Sequence, residues 1–516
     1  MKKTIISMIL AACALQSCNL DLIPENTVTY TNAFTTENEL RTMTASIHYY
    51  TNIYIKDNQT LFAAGAKADT TQGDNDIRRW NPNAITSAAN DWKTLYDIIF
   101  MSNMLIDNIH RTENLPADRY NYHSGQAQFA MGLSYFLLAQ RYGSGIITEN
   151  SETIKMYGNS TQIEVLDAAI KHAEEAFALL PTIEKMTDLD GRSTTNRQYA
   201  SKGTCAALLA HIYAWKGSVI QLYGLEGNAN ECYQKSIDYT NQLTTGKAGN
   251  YQLMESPEAL CEAFSSPSTV NPEIIFSMTF DKARDKYTVS PNMPGVAYTG
   301  WPVDKTKTMG NIVSETSYLL KKETTDRMYP DEDDLRRNAF FYNYGEEHVV
   351  DETPYAIFHK FRNGVYDENS SSEFGIEYRT LDSDYNYWRL ADLILLRAEC
   401  LVKLGKDQEA IADLNKIRER ANAQPYPATQ DTEGLQKAIF RERERELIGE
   451  TDGRYFDVIR NNYIKTELIG KFQTLTKTDI KNGALFLPIP TSAILDSDGQ
   501  KINTKIRQHA YWIPYM

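Results

Sequence analysis

The strongest constraint on this chain is a set of long segments in which small residues recur every three or four positions opposite bulky ones. In 122–142, Ala127, Ala130 and Gly132 alternate with Tyr135, Phe136 and Leu138. In 163–180, Ala169, Ala173 and Ala176 repeat at spacings of four and three, and Pro181 follows. Residues three and four apart share one helix face. These stretches therefore predict helices whose small-residue faces admit a neighbouring helix at close range. Further helices are predicted at 198–217, 229–243 and 433–450. The clearest pair is 387–420, where Ala398 and Ala410 lie 12 positions apart around Gly405, the expected turn, and Leu414 follows.

The small-residue pattern resembles the second helix of a tetratricopeptide repeat. A plain solenoid would hold a strict period. Here the pattern is broken by 143–160 and by about 140 residues between 245 and 386. The expected fold class is mostly α, with four tetratricopeptide-like helix pairs supporting a loop-rich irregular half with few short strands. The stretch 265–310 carries Pro267, Pro272, Pro291, Pro294, Gly295, Gly300 and Pro302, with a strand-like run from Glu273 to Phe280. Residues 341–386 are rich in Tyr, Asn, Asp, Ser and Gly. Loops beyond about 15 residues are usually functional or disordered, and the aromatics here argue for order.

The first residues set the compartment. Lys2 and Lys3 precede an apolar run of 11 residues, Ile5 to Leu15. A spanning helix needs about 20, so this is a signal-peptide core. Leu15-Gln16-Ser17-Cys18 looks like a bacterial lipobox. Residues 1–17 are expected to be removed and Cys18 to carry lipid, which anchors without spanning. Two regions then follow, 18–245 with the first binding loops and 246–516 with the loop-rich insert at 265–386. Cys205, Cys232, Cys261 and Cys400 show no CxxC spacing and are expected to be buried free thiols.

Lys plus Arg number 53 against 67 Asp plus Glu, a net charge of −14. That surface gives no electrostatic footprint for nucleic acid. The eight histidines form no HxH, HExxH or Cys/His cluster, and no GxSxG, Walker or GxGxxG motif occurs. No catalytic, cofactor or metal site is expected. Asp331-Glu332-Asp333-Asp334 reads as a solvated charge run at a helix start. The alternating charges from Arg441 to Glu446 read as a structural network orienting Arg454 and Asp457.

Several segments, in order, carry a family likeness. They are the lipobox, Asp21-Leu22-Ile23-Pro24, Asn32-Ala33-Phe34, and Trp92-Lys93-Thr94-Leu95-Tyr96-Asp97 with Asn103. Further on stand Arg389 to Glu399, Asn415 to Ala421, Glu442-Arg443, Glu446-Leu447, Glu450, Arg454 to Arg460, and Leu487-Pro488-Ile489-Pro490. Together these resemble the SusD/RagB family of Bacteroidetes surface lipoproteins, almost end to end. The family's Glu-Gly-x-Arg is here Glu450-Thr451-Asp452-Gly453-Arg454, one residue longer, and the tail after Pro490 is also longer. The resemblance implies a protein lipid-anchored on the outer membrane that binds an oligosaccharide, caps a SusC-like TonB-dependent transporter and performs no catalysis. Peptide capture is the alternative within that uptake type. A surface glycoside hydrolase is a more distant one, needing two carboxyls about 5–9.5 Å apart, and a purely adhesive protein would show no pocket.

A sugar offers apolar C–H faces and polar edges, so its site calls for flat rings ringed by amide, carboxylate or guanidinium groups. Tyr outnumbers Phe 32 to 18, which favours rings with a polar tip. Trp92, Trp215 and Trp388 fall on predicted helices and are expected to be packed. Trp80 and Trp301 fall in turn-rich loops and are expected to contact ligand, with Tyr298 and Tyr287 beside the second and Asp76, Arg79 and Asn81 around the first.

Overall fold

The computed structural model describes residues 33–57, 60–71, 73, 75–88, 92–265, 270–281, 294–368, 375–496 and 498–516. Cys18 and Tyr287 lie outside the described residues. Helices take 53% and strands 9% of the described residues, so the mostly α class holds.

Eight helices form the frame: α1 (Glu37–Asp57), α2 (Lys93–Asn108), α3 (Ala117–Tyr142), α4 (Gln162–Leu179), α5 (Lys202–Tyr223), α6 (Ala229–Thr244), α7 (Leu390–Lys403) and α8 (Asp407–Arg420). They pack as successive pairs, each pair against the next. Small residues set the closeness of α3 and α4. A Cβ on Gly132 would stand 3.0 Å from the Ala173 nitrogen, and one on Gly125 would strike Leu180. At the other end Gln162 Nε2 donates to the Ala139 carbonyl at 2.9 Å, so the two run antiparallel. In the α5–α6 pair, Gly217 lies mid-helix because the Tyr233 ring occupies the space a side chain would need.

The boundaries follow local chemistry. Thr161 and Glu164 form a capping box at α4, and Ser201 caps α5. Helix α3 begins five residues before the predicted start because Pro116 sits at its N-cap. It ends at Gly143, whose φ of +63° suits the left-handed cap. Gly405, at φ +71°, turns α7 into α8 as predicted.

The frame continues straight from α6 to α7 although 145 residues separate them in sequence (390 − 245 = 145). Arg397 of α7 ties them: its Nη1 donates to Asn241 Oδ1 at 2.6 Å, while Nε donates to Asp413 Oδ2 of α8 at 2.7 Å. The intervening residues, joined by β1 from near the N-terminus, build the loop-rich half on small sheets. Strands β1 (Thr70–Thr71), β2 (Ile274–Met278), β3 (Tyr318–Lys321), β4 (His348–Val350), β5 (Thr353–Ala356), β6 (Gly364–Asp367), β7 (Glu377–Leu381) and β8 (Tyr385–Arg389) pair antiparallel. The largest sheet has the order β1-β3-β5-β4; β2 pairs with β8 and β6 with β7. Trp388 was expected on a helix. It lies on β8 instead and is buried beside Phe276 of β2. Trp92, just before α2, and Trp215, in α5, are packed as expected.

A buried ionic network binds frame to loops. Helix α9 (Leu435–Glu446) supplies most of it, and helix α10 (Gly453–Arg460) answers. Arg443 Nε meets Asp457 Oδ2 at 2.9 Å, and Arg454 Nη2 meets Glu444 Oε1 at 2.6 Å, as the alternating charges predict. The acidic run at 331–334 is only half solvated: Glu332 and Asp333 are exposed as expected, but Asp331 and Asp334 are buried, because Asp334 holds Arg336 at 2.8 Å and Asp331 accepts the Gln424 amide at 2.7 Å. The four cysteines Cys205, Cys232, Cys261 and Cys400 are buried and free.

Candidate functional site

The segment 75–88 is rigid from its own short-range bonds. Asn81 Oδ1 accepts the Asn83 amide at 3.1 Å and caps the helix Pro82–Ser87. Arg79 Nε donates to Asn75 Oδ1 at 3.1 Å, and Asn81 Nδ2 reaches Asp76 Oδ1 at 3.4 Å. Asp76 and Arg79 are exposed and Asn81 half-buried, so the expected polar group does share one surface turn.

Trp80 does not join them. Its backbone takes a φ of +57°, which turns the ring inward. The ring is 0% exposed, stacked on Phe472 at 4.9 Å and edged by Trp512 at 6.0 Å. Its Nε1 donates to the Ala484 carbonyl at 2.7 Å, so even its polar tip is satisfied. It offers no face to a ligand. Tyr298 is likewise a core ring, packed between Phe62, Tyr318 and Phe358, with its hydroxyl donating to the Lys67 carbonyl at 2.8 Å.

Trp301 keeps part of its ring in solvent. Gly300 precedes it where any side chain would strike Thr316. The Asp304 amide donates back to the Gly300 carbonyl at 2.9 Å, which closes a turn around the tryptophan. The four-stranded sheet builds the surface beneath. Successive β3 side chains alternate: Tyr318 and Leu320 enter the larger loop-side core, whereas Leu319 joins a small cluster with Ile312, Tyr355 and Ile357. Tyr342 rims that small cluster. Its ring meets Trp301 at 5.3 Å with an 83° interplanar angle, forming a right-angled corner. His348 Nε2 donates to the Tyr342 carbonyl at 3.1 Å and its ring lies 6.0 Å from Trp301. His359 abuts Tyr342 at 5.3 Å. Burial, reinforced by Arg362, pushes the His359 imidazole down to about 4, so it is neutral at pH 7.

The result is a half-open aromatic corner with the neutral His359 imidazole behind Tyr342. Such a corner can stack an apolar ring face and hydrogen-bond its edge. Tyr342, His348 and His359 were not singled out in the sequence. Only the Tyr-rich composition of 341–386 hinted at them, because Tyr342 and His348 meet Trp301 from about 40 to 50 residues away and His359 joins through Tyr342. The Asp76–Asn81 turn follows β1, at the opposite sheet edge from β4. Three strand spacings of about 4.8 Å put those edges about 14 Å apart. No group of three or more metal-binding side chains occurs among the described residues.

Sequence profiles decide the family. The SusD family profile matches residues 226–512, over half of the chain, and one described as starch-binding associating with outer membrane matches 25–213.

The chain belongs to the SusD family.

Two SusD-like proteins of Formosa agariphila are 24% and 25% identical to it, over 78% and 75% of this chain and 76% and 75% of theirs. A SusD homolog from Bacteroides thetaiotaomicron superposes with a TM-score of 0.73 at 19% identity, covering 92% of this chain and 98% of its own. NanU of Bacteroides fragilis superposes at 0.67 and 19%, covering 94% and 99%. SusD-family membership supports a glycan-binding protein of outer-membrane nutrient uptake, in a family of generally non-catalytic binders. None of the described helices is long and apolar enough to cross a membrane.

Proposed function

We propose that this SusD-family protein is a surface lipoprotein that captures an oligosaccharide and passes it uncut to a SusC-like TonB-dependent transporter. The reading carries the mature chain from Cys18, after a signal peptide at 1–17, with acyl chains as its hold on the outer membrane. It keeps 18–245 and 246–516 as the two regions that contribute to the site.

The observation that carries the glycan reading is the perpendicular corner of Trp301 and Tyr342, half-open to solvent on a rigid turn. Trp301 is the platform, Tyr342 the wall, and the polar turn of Asp76, Arg79 and Asn81 a second contact across the sheet. Tyr287, in the same insert, completes the proposed set. Calorimetry with a panel of neutral and acidic oligosaccharides tests it. At least one should bind, W301A should weaken it, and no reducing ends should appear on incubation. Binding of peptides alone, or release of reducing sugar, would overturn the reading.

A further inference from the structure

Buried arginines in this protein are held by carboxylates. Arg389 has Glu273 and Glu450, Arg418 has Asp431 and Glu442, and Arg443 has Asp392 and Asp457. Arg197 departs from that rule. It is half-buried, and its Nε and Nη1 are covered without any hydrogen-bond partner. No ion pair among the described residues includes it. It rests over the Tyr251 ring at 5.3 Å, and the nearest acidic influence, Glu184, is engaged with the Asn250 amide at 2.6 Å. A cation so largely covered and without an ion pair is costly unless an anion arrives.

Arg197 lines a cavity of about 270 Å³ between the irregular segment 194–197 and the β2–β8 ribbon. At about 30 Å³ per water that is room for about nine waters, the scale of one small ring. The lining sets hydroxyl and amide groups, including Asn196, Asn271, Ser277 and Asn386, beside an apolar patch that includes Phe264 and Ile274. Asn271 Nδ2 is a second buried donor without a partner. One carboxylate, Asp384, also lines the cavity, and its Oδ1 already accepts the Phe280 amide at 2.8 Å. The Ser277 amide donates to the Arg197 carbonyl at 3.3 Å, which fixes the arginine's backbone on β2.

We infer that this cavity is a second subsite, apart from the Trp301 corner, that takes the carboxylate of an acidic sugar unit. Nη2, the guanidinium nitrogen left uncovered, would donate to a carboxylate oxygen, with the unpaired charge behind it, and the amide and hydroxyl lining would meet the ring hydroxyls. The inference rests on the glycan reading and narrows it to cargo that bears uronic-acid-type units.

NMR titration of the whole protein with D-galacturonate, D-galactose and acetate tests it. Galacturonate should shift resonances of the 194–197 and 383–386 segments, with galactose and acetate each about tenfold weaker or more. R197Q should lose about tenfold or more of galacturonate affinity at unchanged fold. If R197Q does not fold, Asn271→Leu keeps the cation, removes one donor, and should still weaken binding. Equal binding of galactose or of acetate, no binding, or indifference to these variants would overturn the inference. Oligosaccharide binding that depends on Trp301 alone would sink this subsite and leave the proposed function standing. Failure of every glycan would sink both.

Discussion

Arg389 and Glu450 form a two-pronged ion pair inside the protein: Nε meets Oε2 at 2.7 Å and Nη2 meets Oε1 at 2.7 Å. The arginine ends β8 where the frame resumes, and the glutamate lies in the turn between α9 and α10. Lys360, from the loop half, shares the same carboxylate. One buried pair thus joins the insert to the helical frame.

Breaking it should be severe. Arg389→Ala leaves Glu450 and Glu273 buried beside fewer cations, and removing one partner of a buried pair costs about 3–5 kcal/mol. Urea unfolding measures this, and a loss below about 1 kcal/mol would show that the network is not what holds the insert.

The two tryptophans singled out together should separate. W301A should cost clearly less stability than W80A and weaken glycan binding by about 1–2 kcal/mol, the ring-stacking gain plus some buried area. W80A should cost about 3–5 kcal/mol of stability through the cavity it opens among Phe472, Tyr455 and Trp512. Equal stability of the two variants would contradict their different burial.

Gly65 should not tolerate a side chain. A Cβ there would stand 2.7 Å from the Tyr455 nitrogen and 2.9 Å from its Cα, and α10 backbone cannot rotate away. Gly65→Ala should destabilise by about 1–3 kcal/mol, read as a lower denaturant midpoint.

Acid should weaken the fold in two stages. Burial pushes His48, His123 and His172 from 6.5 down to about 4, helped at His123 by Arg119. The unfolded chain then binds more protons than the native one between those values, so stability is full above pH 6.5 and falls toward pH 4. Burial alone would raise the carboxyls of Glu399 and Glu442, but their cations outweigh it. Arg460 and Lys403 hold Glu399 down at about 2, and Arg445 and Arg336 hold Glu442 well below the usual range. Their contribution is present above 4.5 and lost as pH falls through those depressed values. Chemical denaturation at a series of pH values should show both declines. A flat profile from pH 7 to 5 would rule out the buried neutral histidines.

Cys18→Ser should abolish acylation and release the protein from the membrane fraction. Retained anchoring in that variant would refute the lipobox.

Local patterns made the helical frame legible. Ala169, Ala173 and Ala176 share a face because the helix period is a property of the backbone, and Gly405 marks a turn because few other residues accept its φ. The alternating charges of α9 likewise announced a network, since neighbours three and four apart must meet. Tertiary structure decided which rings face solvent. Trp80 and Trp301 look alike in sequence, each in a turn-rich loop, but one turns inward at φ +57° onto Phe472, contributed from 392 residues away (472 − 80 = 392). The other is left half-open because Tyr342 and His348 reach it only through the register of β3, β5 and β4. Burial depends on contacts distant along the chain, and no local period encodes them.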